Sequence, residues 1–291
     1  MADINFDNFQ NEEYETIYPD VVQTDTYDSN HYLKSIAIYF LTIYGLTLII
    51  QFILLFLYGI IFKTDPTFVD LNGETQYTPQ ALNFLNLWTQ IVTYSALLIV
   101  VVLLLRKDLI VDFFKTKSNF LSVLKDAAIG FVLLYVASIA ANMILVLLNI
   151  TQSSENQYAI ETMIANCTSF ELVLFSIILV VVTPLIEELI FRKSLFGFLK
   201  KYDFSSKKMI IVSALIFGGI HVATTIISLI VSAAPFKAIL TEFLLVIPYF
   251  AMGLALSYSY EKAKRNIFVP TIIHMANNLL SLILILCFPG I

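Results

Sequence analysis

Glu187, Glu188, Arg192, His221, His274 and Asn278 are the residues whose types and spacing could do chemistry, and all six lie within or at the edge of long apolar runs. An ionisable side chain at the centre of a bilayer costs roughly 2.5–3.5 kcal/mol on insertion scales, so an intramembrane charge is a functional candidate by default. The acids occur in TPLIEELIFRKSLF, residues 183–196. On a helix, neighbouring side chains diverge and residues four apart share a face, so Glu188 can pair with Arg192. Glu187 points elsewhere and has no charged partner in its own helix. It is free to face a cavity, the position of a general base acting on water. Pro184, about one turn earlier, is expected to loosen or kink the helix. The competing reading of this segment is a salt-bridge cluster that only ties helices together.

His221 follows in LIFGGIHVA, with Phe217 four residues earlier on the same face. Gly218 and Gly219 are expected to let another backbone approach closely. His274 follows in VPTIIHMANNLL, and Asn278 shares its face four residues on. A lone histidine on an apolar helix is ordinarily a packing residue. Two of them, with two glutamates and an asparagine on three different apolar runs, point to one joint site. His31, beside Tyr32 ahead of the first run, reads as an interfacial residue. The patterns H-E-x-x-H, G-x-S-G, G-x-G-D and G-x-G-x-x-G are absent, as is a phosphate-binding Walker loop.

The elements that carry these residues are membrane spans. Hydrophobic residues make up 58% of the 291 and charged residues 13%, against roughly 25% charged in a soluble domain. The mean hydropathy is +0.83. Too few charges remain to coat a water-facing surface. Runs of the ~20 apolar residues that a span needs occur at about 36–62, 84–105, 126–150, 171–192, 209–233, 238–260 and 267–288. The fold class is therefore all-α, a polytopic bundle of about seven spans with no internal repeat. Of the 17 Lys and Arg residues, 15 fall in one set of alternate segments and 2 in the other. By the positive-inside rule the N-terminus is cytoplasmic and the C-terminus outside. Arg192, at the end of its run, is counted with the inner side. Measured along the helices at ~1.5 Å per residue, the Glu187, His221 and His274 positions are expected in the cytoplasmic half of the membrane.

Three segments follow: an acidic, disordered cytoplasmic tail over 1–31, N-terminal spans over 32–155, and a core over 156–291 that carries all six candidate residues and is expected to be the catalytic one. The tail holds eight acids in its first 30 residues and no Lys or Arg, so it buries too little apolar surface to fold alone. No basic footprint supports nucleic-acid binding. Cys167 and Cys287 are too few for a disulfide framework; one bridge between them is conceivable, and two small apolar side chains is the plainer reading.

The three motifs resemble those of the CPBP family of intramembrane proteases, which includes the CAAX prenyl endopeptidase of the Rce type and bacterial Abi-like proteins. The family pattern E-E-x-x-x-R, F-x-x-x-H and H-x-x-x-N is met here by Glu187, Glu188 and Arg192, by Phe217 and His221, and by His274 and Asn278, in order over about residues 156–285. Lys193 stands where many members carry glycine, and is expected to snorkel to the interface. The resemblance implies that Glu187, helped by His221, activates water, that Glu188 and Arg192 orient it, and that His274 and Asn278, as neutral donors, stabilise the oxyanion. No cofactor is expected. Zinc is the alternative, with His221 and His274 as two ligands, but no carboxylate on a neighbouring span is evident to orient them. The partners implied are membrane lipid and a peptide or membrane-protein substrate. A catalytically silent scaffold, such as an immunity or signalling partner, is the competing function. A proton-relaying transporter is a third, disfavoured by the lack of inverted repeats. Lys outnumbers Arg, and Ile, Asn, Tyr and Phe abound, which points to an AT-rich bacterial genome and a bacterial cytoplasmic membrane.

Overall fold

The computed structural model describes residues 27–70, 73 and 75–288. The acidic stretch before residue 27 lies outside the described residues. In chain order the elements are α1 (Ser29–Phe62), a hairpin of β1 (Thr67–Val69) and β2 (Thr75–Tyr77), α2 (Pro79–Leu104), α3 (Arg106–Ser118), α4 (Phe120–Leu147), α5 (Glu155–Asn166), α6 (Ser169–Lys200), α7 (Ser206–Val231), α8 (Phe236–Lys262) and α9 (Phe268–Cys287). All but the two strands, α3 and α5 are long and apolar enough to cross a membrane, which makes seven spans among the described residues. Phe52, Leu121, Leu147 and Val231 stand exposed on outer faces, as lipid-facing side chains do. The chain is an integral membrane protein.

Local sequence sets the helix ends. Asp28 caps α1 by accepting from the His31 amide at 2.7 Å, so α1 begins inside the last residues assigned to the acidic tail. His31 is a structural clasp: its Nε2 lies 2.7 Å from the Leu104 carbonyl, satisfying one of the orphan acceptors at the end of α2. Thr78 caps α2 ahead of Pro79. Thr168 and Glu171 form a reciprocal capping box at the start of α6, using two otherwise unpaired amides.

α7 and α8 pack through glycine. A Cβ on Gly218 would come 3.0 Å from the Phe250 amide nitrogen, and one on Gly253 would come 2.9 Å from the Ala214 Cα. Small residues thus set the helix separation where no hydrophobic force drives spans together. Gly219 has nothing within 4 Å of its notional Cβ, so the close approach expected of both neighbours belongs to Gly218 alone.

Two charged residues depart from expectation. α6 runs on to Lys200, which places Arg192 inside the helix with its side chain fully buried and not at an interface. Lys193 does not snorkel. Its Nζ lies 2.6 Å from Asp112 Oδ2 and 4.0 Å from Asp108 Oδ1. Both acids are buried on α3. A close ion pair across α3 and α6 replaces the water contact that snorkelling would provide. Asp112 also accepts the Ile267 amide at 3.1 Å, and the Tyr32 hydroxyl donates to Asp108 Oδ2 at 3.1 Å. α1, α3, α6 and the turn before α9 are thereby clamped at one end of the bundle. Cys167 and Cys287 are free thiols.

Candidate active site

Proline and two π-turns shape α6 around its glutamates. Pro184 offers no amide, and the ladder shifts just before it. Residues Ile178–Val182 form a π-turn in which the Thr183 amide donates to the Ile178 carbonyl, five residues back. The Leu179 carbonyl that Thr183 would meet in an α-helix is released, and Asn278 Nδ2 donates to it at 2.9 Å. A second π-turn, Leu189–Ser194, follows the acids. Insertions of this kind inside α-helices concentrate at functional sites. Here the first one fastens α9 to α6 through Asn278.

The Glu188–Arg192 pair forms as the spacing requires. Arg192 Nη1 donates to Glu188 Oε1 at 3.0 Å, Nη2 donates to the Gly253 carbonyl at 3.3 Å, and the guanidinium carbon lies 4.7 Å from the Phe217 ring centre. Both charged side chains are fully excluded from solvent. Glu188 Oε1 also lies 2.8 Å from His274 Nδ1, a contact across α6 and α9 that i, i+4 logic could not supply. A carboxylate paired with arginine only accepts, so Nδ1 carries the hydrogen. Nε2 is then the His274 nitrogen turned toward Glu187. The contact also supplies the orienting carboxylate that was missing from the sequence argument about zinc.

Glu187 faces the other way. Its Oε2 lies 3.8 Å from His274 Nε2, and it lines a cavity of about 360 Å³ together with His221, His274 and Asn278. Glu188, Arg192 and Phe217 sit behind this wall. Phe217 is fully buried and stacks its edge and faces on His221, His274 and Phe191. His221 Nδ1 lies 2.7 Å from the Phe217 carbonyl; a carbonyl only accepts, so Nδ1 is again the protonated nitrogen and Nε2 carries the lone pair. Its ring stacks on Tyr249 at 4.4 Å, and the Tyr249 hydroxyl in turn bonds Ser154 at 2.6 Å. All six candidate residues and Phe217 are thus gathered at one place.

Sequence reasoning missed part of the lining. Tyr39 of α1, Thr89, Gln90, Thr93 and Tyr94 of α2, and Asn156 and Gln157 of α5 border the same cavity. The available signal was the polar cluster Thr89, Gln90, Thr93 inside an apolar run. The site therefore draws on helices from both sides of residue 155. The cavity extends from Glu187 toward α5, whereas Leu97, Val101, Phe191, Phe196 and Tyr260 form part of a packed core at the other end. Glu187 and His221 lie about 20 Å and 22 Å along their helices from Lys200 and Ser206, deeper than the shorter apolar runs implied. Among the described residues no three His, Cys, Asp or Glu side chains are placed close enough to hold a metal ion together.

The sequence profile described as type II CAAX prenyl endopeptidase Rce1-like matches residues 169–280, a stretch that contains every candidate residue. A Bacillus subtilis (strain 168) protein named "Putative membrane peptidase YdiL" is 32% identical over 196 residues, covering 66% of this chain and 68% of that protein. The chain belongs to the CPBP family of intramembrane proteases. No solved structure matches it. As a CPBP protein it is a membrane-embedded peptidase acting on peptide substrates, and the matched stretch begins with α6 and ends within α9.

Proposed function

We propose that Glu187 is the general base of a water-mediated endopeptidase whose reaction takes place in this cavity. The observation that carries the reading is that Glu187 is the one acidic side chain among the described cavity-lining residues, unpaired in its own helix and 3.8 Å from His274 Nε2. That separation is too long for a hydrogen bond and short enough for one water to touch both groups at ordinary reach. Glu187 takes a proton from this water, and the hydroxide adds to the scissile carbonyl. The second amide hydrogen of Asn278, whose first is held by Leu179, stabilises the oxyanion. Glu187 passes that proton to His221 Nε2, which delivers it to the departing amine as the C–N bond breaks and the carbonyl re-forms. Glu188 and Arg192 hold His274 in place.

The substrate on this reading is a peptide pheromone, leader peptide or membrane protein rather than a prenylated one, in a bacterial cytoplasmic membrane. The basic connections set the N-terminus inside, and Glu187 and His221, about 20 Å and 22 Å from the inner ends of their helices, then lie near the middle of the membrane. The test compares purified parent, Glu187→Ala and His221→Ala proteins against a panel of quenched membrane peptides. Abolished cleavage in both variants with unchanged membrane insertion supports the reading, and a cellular phenotype that survives Glu187→Ala would assign that phenotype to a silent scaffold.

A further inference from the structure

Thr89 and Thr93 of α2 are buried, and neither hydroxyl has a hydrogen-bond partner among the described residues. A threonine in a helix ordinarily returns its hydroxyl to a carbonyl one turn back, so two consecutive failures on one face are unusual. Leaving a buried hydroxyl unsatisfied costs stability. Both residues border the cavity that contains Glu187, as does Gln90 between them. The Gln90 amide makes only a 3.6 Å contact to the Met163 sulfur, a weak acceptor. Three under-used polar groups thus border the same cavity as the reacting residues of α6, α7 and α9.

Spacing narrows what they could bind. Residues four apart on a helix are separated by about 6 Å along its axis. An extended peptide presents equivalent backbone groups on one edge every second residue, roughly 6.6 Å apart. Two hydroxyls one helical turn apart therefore match two successive backbone groups of one extended chain. Threonine in a helix has two open χ1 wells; both hydroxyls are closed off in the empty cavity, and a χ1 rotation as an occupant enters is what brings them to its main chain. The rest of the wall toward α5 is uncharged: Thr47, Thr224, Asn156, Gln157, Asn277 and Ser281 contribute polarity without a full charge. Such a wall suits an extended segment of uncharged residues, held by its main chain.

We propose that Thr89 and Thr93, with Gln90, form a docking rail for the backbone of an extended, uncharged peptide segment that runs from the scissile bond toward α5. This deepens the peptidase reading and rests on it for the position of the scissile bond. The rail acts by positioning and takes no part in the bond-breaking step.

The test is binding to the protein in nanodiscs, measured by fluorescence anisotropy. The probes are fluorescein-labelled twelve-residue peptides of Ala, Leu, Ser and Phe, each with a counterpart carrying single backbone esters in place of amides. The Glu187→Ala background makes the measurement independent of turnover. Losing one hydroxyl should weaken binding about 5-fold, and the double Thr89→Val, Thr93→Val variant roughly 30-fold. The double variant should also stop distinguishing amide from ester at two positions separated by one intervening residue, while melting no lower than its parent, because valine removes an unsatisfied group. Thr89→Ser with Thr93→Ser keeps both hydroxyls and should restore binding. Equal affinity of the valine and threonine proteins overturns the rail, as does failure of the threonine protein to bind any of the peptides. Cleavage persisting in the Glu187→Ala background would instead remove the base assignment and leave the rail standing.

Discussion

Replacing Arg192 with alanine should cost far more than an ordinary surface pair would. In the folded protein its guanidinium donates to Glu188 at 3.0 Å and to the Gly253 carbonyl at 3.3 Å, with Phe217 packed against it at 4.7 Å. Without it Glu188 keeps only His274, and Glu188 Oε2 already has no hydrogen-bond partner among the described residues. Breaking a buried pair by removing one member costs about 3–5 kcal/mol, and the void left by a large side chain adds to that. An exposed pair would contribute about 0–1 kcal/mol, so the size of the loss reports on burial. Denaturant and thermal unfolding in detergent should therefore show Arg192→Ala destabilised by at least ~3 kcal/mol. The double change Glu188→Gln, Arg192→Gln removes both charges together. It should recover most of that stability and remain inactive, because neither group then holds His274 as before. Superimposable melting curves for the parent and Arg192→Ala would refute the pair and the positioning role built on it.

Three further outcomes follow from the same geometry. Lys193→Met removes the nearest cation from Asp112, at 2.6 Å, and leaves it the Ile267 amide and Lys115 at 3.9 Å, so it should lower stability measurably but by less than Arg192→Ala; wild-type stability would mean that the α3–α6 ion pair does not form. Cysteines at Ser206 and Lys264 should label from the cytoplasmic side only, and cysteines at Thr64 and Ser153 only from outside; any one reversed would overturn the charge-based orientation. Elemental analysis of active protein should find no stoichiometric zinc, and activity should survive chelation; one zinc per chain, lost with activity and restored on its return, would contradict the direct role given to Glu187.

The candidate residues were legible because intramembrane charge is costly and stands out against an apolar background. The Glu188–Arg192 pair was legible because it lies within one helix. What could not be read is tertiary. Nothing local links His274 to Glu188, which are 86 positions apart, and that contact leaves Nε2 as the His274 nitrogen turned toward Glu187. The fate of Lys193 depended on α3, whose Asp108 and Asp112 lie in a stretch that reads as a basic, exposed connection. Pro184 announced a disturbance in α6, but its use appears only where Asn278 takes the released Leu179 carbonyl. Thr89 and Thr93 went unread because uncharged polar residues are cheap enough within spans to carry little signal alone.

The most direct measurement is the cleavage rate of Glu187→Ala on a quenched membrane peptide that the parent protein hydrolyses. Both proteins are reconstituted in the same lipid, and their unfolding curves are compared first. Removal of a general base should lower the rate by about 10²–10⁴-fold while the melting transition stays in place, since Glu187 makes no hydrogen bond that holds the bundle among the described residues. A folded Glu187→Ala protein that cleaves within a few-fold of the parent would contradict the account at its centre.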